Sequence, residues 1–343
     1  MVQIWYPARA DPSSPRAPYM QDSGAVTAAF ARIHHKPAFV FRQFKFVTTN
    51  AVSSAKVADR EPRYPVLLFL EQATGFRPMN TFQVEELVSH GYIVVGLDQP
   101  GAAADVVFSD EHQAAGLPVA QLRALIRPSY MPGQIAPPLL NDRALTDRSS
   151  IPNLTQDAVF TLNQLDALNS ADQNGILTGR LDLQHVGAFG VSLGVIVVAE
   201  ACRVEPRLEA CLMMDALVPA DVVKAGLRRP SIWTPRDAGT IPLERQRAGG
   251  WSEAEIEAHL NSMRAAFEGV AAAGYFVQVP GAFPANFMDI PLWFQLTSWL
   301  GLTGPIDGRR AHSIINAYWL AFFDRHLKGL KTMLLDGPAK QYP

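Results

Sequence analysis

The run Gly190-Val191-Ser192-Leu193-Gly194 has the residue types and spacing of a reactive serine. It follows an apolar stretch ending at Phe189 and precedes a helical run, and in that setting G-x-S-x-G reads as a strand–turn–helix elbow. So tight a turn brings backbone close on both sides of the serine, which calls for residues without Cβ. The helix behind Ser192 would aim unpaired N–H groups at an oxyanion formed there. A serine hydroxyl is a weak nucleophile near neutral pH; it needs a histidine base, and the histidine needs a carboxylate to hold its tautomer. Asp215 supplies that carboxylate by position, after the apolar run Cys211-Leu212-Met213-Met214 and so at the strand end where open α/β sheets gather reactive groups. The plain structural alternatives are a serine in a glycine-rich turn and an aspartate capping a turn.

No histidine stands at a recognisable spacing from these two. His312 begins the closing helix, His112 lies in a loop after the strand ending at Asp98, and His259 sits on a helical insertion; each also fits a surface or helix-end residue. His34-His35, His90, His185 and His326 fit element ends distant from the elbow. The His34-His35 pair lacks a further ligand at a metal-site spacing, so neither metal nor cofactor is expected.

The elements that must position these residues follow from periodicity. Tyr64 to Leu70 is a short apolar strand of the kind covered on both faces of a parallel sheet. A helix over Thr81 to His90 stops at Gly91, and Tyr92 to Leu97 is the next strand. Residues 101–150 read as loops and short helices. Beyond Pro152, Leu154, Ala158, Leu162 and Leu165 give a helix with Asn153 as its cap. The strand His185 to Phe189, the helix Val195 to Cys202 and the strands Glu209 to Met214 and Tyr275 to Val279 continue the alternation. The pattern predicts a doubly wound, mostly parallel sheet in one domain spanning 1–343. Residues 218–272 read as a helical lid inserted between the last two strands, carrying the capping box Ser252-x-x-Glu255 and the series Ile256, Leu260, Met263, Phe267. The helix Ile314 to Leu327 closes the chain.

Composition sets limits. With 48% hydrophobic residues, 18% charged and a formal charge of −2, no field is expected that would gather nucleic acid or anionic lipid. Cys202 and Cys211 lie in apolar runs and read as free buried thiols. No apolar stretch reaches the roughly 20 residues of a membrane helix. The start Met1 to Pro7 lacks the regions of a signal peptide and reads as the middle of a strand, so a soluble chain with further strands upstream is expected.

The segments Ile4 to Ala8, Tyr64 to Gly75, Glu85 to Tyr92, the serine elbow, Met214-Asp215, Asn286-Phe287-Met288-Asp289 and Ala321 to Leu327 together resemble the bacterial relatives of platelet-activating-factor acetylhydrolase, over nearly the whole chain. That resemblance implies an α/β-hydrolase fold and metal-free hydrolysis of a carboxylic ester, short-chain or lipid-like. It implies Ser192 as nucleophile, Asp215 as triad acid, and the backbone N–H groups of Leu193 and Ala73 as oxyanion donors. Two departures stand out. Pro284 occupies the position of the family's histidine, three residues before Phe287, and has neither a titratable group nor a backbone N–H. Glu71-Gln72 replaces the family's His-Gly, so an ionised Glu71 would oppose oxyanion formation, whereas a buried one would be raised toward neutrality.

Glu71, Gln72, Pro284, Phe287 and Trp293 are therefore expected around the pocket, with the aromatic stretch Phe287 to Phe294 and Trp299-Leu300 either an acyl or lipid wall or core beneath the closing helix. Three readings follow. The first is an ester hydrolase acting through an acyl-enzyme on Ser192, impaired by Pro284. The second is a degenerate or redesigned hydrolase that binds a ligand or partner without hydrolysis. The third has Glu71 as acid or base in the same cavity.

Overall fold

The computed structural model describes residues 1–130 except 10, 12, 22 and 34, residues 151–248, 253–293 and 296–337, and residues 339 and 342. Its strands are β1 (Val2–Trp5), β2 (Ala8–Arg9), β3 (Lys56–Val57), β4 (Tyr64–Leu70), β5 (Ile93–Leu97), β6 (Asp105–Val107), β7 (Gln113–Ala115), β8 (Leu181–Val191), β9 (Leu208–Met214), β10 (Ser231–Thr234) and β11 (Gly274–Phe276). The helices are α1 (Ser23–Ile33), α2 (Thr81–Ser89), α3 (Val119–Tyr130), α4 (Ile151–Ser170), α5 (Leu193–Val204), α6 (Ala220–Ala225), α7 (Ile241–Ala248), α8 (Glu253–Glu268), α9 (Ile290–Trp293) and α10 (Gly308–Leu327).

Seven strands form one sheet in the order β1-β5-β4-β8-β9-β10-β11. Only β1 runs antiparallel, against β5; the other neighbours are parallel. The strands are apolar at successive positions because both faces are covered. Along β4, Val66, Leu68 and Leu70 pack with α4 and α5 on one face, while Leu67 and Phe69 pack with α2 and α10 on the other, as the two-residue period of a strand requires. The pairs β2–β3 and β6–β7 form small antiparallel sheets outside this layer. No described helix is long and apolar enough to cross a membrane.

The doubly wound alternation is thus observed, with several corrections. Helix α4 begins at Ile151, which puts Asn153 inside it rather than at its cap. Helix α10 begins six residues before Ile314, where the Asp307 carboxylate accepts from the Arg310 N–H; the polar first turn hid this start. Part of 101–150 forms the β6–β7 hairpin and α3, and residues 131–150 lie outside the described residues. The stretch 218–272 is not wholly a helical insertion, because β10 lies inside it and pairs with β9 and β11. At four residues between Pro230 and Pro235, that strand is too short to show a period. Ser252 and the side chain of Glu255 fall outside the described residues, as does His34.

The cysteines are also corrected. Cys202 in the last turn of α5 and Cys211 in β9 form a disulfide with Cα atoms 6.6 Å apart. The reversal at 205–207 lays helix and strand side by side, and a reading of two separate apolar runs could not see that their cysteines face each other.

Candidate active site

Ser192 stands between β8 and α5 with φ 53° and ψ −115°, and its side chain does not cap the helix it precedes. The glycines are required for a steric reason visible in the structure. A Cβ on Gly190 would lie 2.4 Å from the carbonyl carbon of Gly194, and one on Gly194 would lie 1.9 Å from the Leu70 oxygen. The elbow therefore presses directly on the end of β4, where Glu71, Gln72 and Ala73 follow. The Leu193 N–H is the first of α5 and has no acceptor within its own helix.

Asp215 follows β9 with φ 55°. The Ser192 N–H donates to the Met214 carbonyl at 3.0 Å, so the serine and the aspartate occupy adjacent carboxyl ends of the sheet. Asp215 is 4% exposed and paired on both oxygens by Arg236, Nε to Oδ1 at 3.0 Å and Nη2 to Oδ2 at 3.0 Å. Nη1 of the same guanidinium donates to Glu244 at 3.0 Å. His259, 2% exposed, brings Nε2 to 3.3 Å from Asp215 Oδ1. Burial alone would raise the Asp215 carboxyl, but Arg236 and His259 overcome it and hold the group well below the usual carboxylate range.

Sequence reasoning missed Arg236 and Glu244. The signal available for Arg236 was its place just beyond a strand end, which the unrecognised β10 concealed. The expected helix face was also displaced: α8 buries Ile256, His259, Met263 and Ala266, while Leu260 is only half-buried.

The remaining candidates separate by position. Burial, and then the neighbouring Asp98 carboxylate, push the Glu71 carboxyl well above the usual range. Asp98 in turn pairs with Arg77 Nε at 2.7 Å. The Gln72 amide donates to Met79 Sδ at 2.9 Å. Pro284 opens the short turn Pro284–Phe287. Phe287 is fully buried in the layer under α10, and its carbonyl accepts from Asn80 and Gln83. Trp293 packs 4.8 Å from Phe44 and donates to the Tyr19 hydroxyl at 3.2 Å. For these two the core alternative describes the surroundings, whereas Trp299 is 80% exposed and Phe294 lies outside the described residues.

Asp289, the acid of the Phe-x-Asp run, serves α2: it accepts from the Thr81 and Phe82 N–H groups and from the Tyr19 hydroxyl. His312 bonds through Nε2 to the Met288 carbonyl at 2.9 Å and stacks on Phe82 at 3.5 Å. His112 is exposed beside Asp110. Of the three candidate histidines, His259 is the one that stands beside Asp215.

No family model and no curated protein matches the chain. Among solved structures it is similar to a ferulic acid esterase from Streptomyces cinnamoneus. The identity is 21%, over 100% of this chain and 86% of that chain, with a TM-score of 0.72. Together with the parallel sheet and its helices, this shows an α/β-hydrolase fold.

Proposed function

We propose that the chain is a serine-type carboxylic-ester hydrolase, related to the platelet-activating-factor acetylhydrolase group and acting on short-chain or lipid-like esters through an acyl-enzyme on Ser192. The observation that carries the reading is the Ser192 elbow: a serine at positive φ, uncapped, hydrogen-bonded through its N–H to the residue before Asp215. Strained geometry of this kind persists where surrounding structure over-determines it, and it clusters at reactive sites.

In this reading Ser192 Oγ attacks the ester carbonyl carbon. The N–H of Leu193, reinforced by the positive end of α5, and the N–H of Ala73 stabilise the oxyanion as it develops. Burial raises the Glu71 carboxyl and so disfavours a negative charge against it. Asp215 is the acid of the site. The whole chain forms one hydrolase domain, with helices of the 218–272 stretch on either side of β10 as its lid. The pocket is bounded by Gln72 and Pro284, and the esters tested should include that of ferulic acid, for which the structural neighbour is named.

A second reading, a hydrolase-derived pocket that binds without turnover, is favoured by Pro284 and Gln72 in place of the family's histidine and glycine. Hydrolysis of p-nitrophenyl acetate and labelling by a fluorophosphonate decide between them. The hydrolase reading expects both from the intact chain and neither from Ser192→Ala. Equal rates in the two proteins would overturn it, and a silent chain that binds esters would establish the second.

A further inference from the structure

We infer that His259, carried on α8, is the general base of this site, taking over the role that Pro284 cannot perform. The inference rests on the proposed role of Ser192 as nucleophile. Three observations support it, each independent of any family pattern.

The first is placement. His259 shares the buried face of α8 with Ile256, Met263 and Ala266, where an imidazole has no packing advantage over an aliphatic side chain of similar size. The Ser262 hydroxyl donates to the His259 carbonyl at 2.8 Å and accepts from the Val218 N–H at 3.2 Å. That double bond of contacts ties this turn of α8 to the segment leaving Asp215. The second is contact: Nε2 lies 3.3 Å from Asp215 Oδ1, so imidazole and carboxylate face each other as a base and its orienting acid do. The third is charge. Asp215 and Glu244 present two carboxyl groups to the single guanidinium of Arg236, so the cluster holds more acidic groups than permanent cations. Such a surplus of acidic groups suits a positive charge gained beside them, the change a base must undergo during attack.

The reaction then balances without a co-reactant other than water. As the Ser192 Oγ–carbon bond forms, the hydroxyl proton passes to His259 and the carbonyl electron pair moves onto oxygen. Collapse of the oxyanion breaks the bond to the alcohol oxygen, which takes the proton from the imidazolium. A water molecule repeats the sequence on the acyl-enzyme, releasing the acid and regenerating Ser192. Arg236 acts through Asp215 and is a positioning residue.

The plain alternative is a core histidine bonded to a carboxylate, and three measurements on the full chain separate them. His259→Ala is expected to slow fluorophosphonate labelling and p-nitrophenyl acetate hydrolysis by about 10³-fold or more, with partial rescue by added imidazole. Pro284→His is expected to give no gain in either rate. In the unsubstituted chain, an acyl chloromethyl ketone should add to Ser192 and alkylate the base with loss of chloride, and peptide mass mapping should find the new N–C bond on His259; this measurement stands even where His259→Ala fails to fold. A folded His259→Ala that labels within about threefold of the parent, alkylation of a different histidine, or a gain of activity in Pro284→His would overturn the assignment to His259 while Ser192→Ala remained dead and the hydrolase reading stood. Absence of labelling in the parent chain would overturn both.

Discussion

Ser192 and Asp215 both hold a positive φ, and at Ser192 the neighbours explain how the strain is tolerated. A non-glycine residue at positive φ costs on the order of 1–3 kcal/mol, and here Gly190 and Gly194 clear the space into which the chain must fold. Gly194→Ala would set a methyl carbon against the Leu70 carbonyl, so it is expected to destabilise the protein by about 2–4 kcal/mol and to remove fluorophosphonate labelling; urea unfolding and labelling check both. Glu71 allows a contrasting test. Because burial already disfavours its charged form, Glu71→Gln should leave the urea midpoint and ester hydrolysis nearly unchanged, whereas Glu71→Ala, which opens a cavity beside Asp98, should lower the midpoint.

At the scale of elements, the N-terminus of α2 is held by two groups whose titrations oppose each other. Asp289 is pushed up to about 7 by burial, against a reference value of 3.8. The folded state therefore prefers its protonated form, and that contribution is present below about pH 4 and lost as pH rises to 7. His312 is lowered by burial from 6.5 to about 4, so the folded state prefers it neutral and its contribution is present above about pH 6.5 and lost as pH falls toward 4. The two slopes partly cancel between these limits. Urea unfolding of Asp289→Asn should expose a loss of stability on acidification from pH 6.5 to 4, on the order of 2–3 kcal/mol. His312→Gln should show the reverse, gaining stability over the same interval. Identical pH profiles for both variants would count against this account of the α2 anchor.

For the whole molecule, one sheet joins two apolar layers, and Ser192 and Asp215 follow its adjacent central strands. The Cys202–Cys211 disulfide links the helix that follows Ser192 to the strand that precedes Asp215, across a sequence separation of 9. A cross-link closing so short a loop contributes about 2–3 kcal/mol. Reduction, or replacement of both cysteines by serine, should lower the unfolding free energy by that amount; an unchanged urea midpoint would show that the link adds nothing to the folded state.

What the chain declared in its own order was local. The elbow, the apolar strands β4, β5, β8 and β9, and the acid at the end of β9 were legible because glycine sterics and strand and helix periods act within about ten residues. Tertiary packing decided the rest. It joined the cysteines, gave the Phe-x-Asp carboxylate to α2, set Arg236 against Asp215, and turned His259 rather than Leu260 inward. Adjacent residues on a helix point about 100° apart, so a small rotation chooses which of them faces the sheet. That rotation is set by what lies across the interface, from strands and loops tens of residues away.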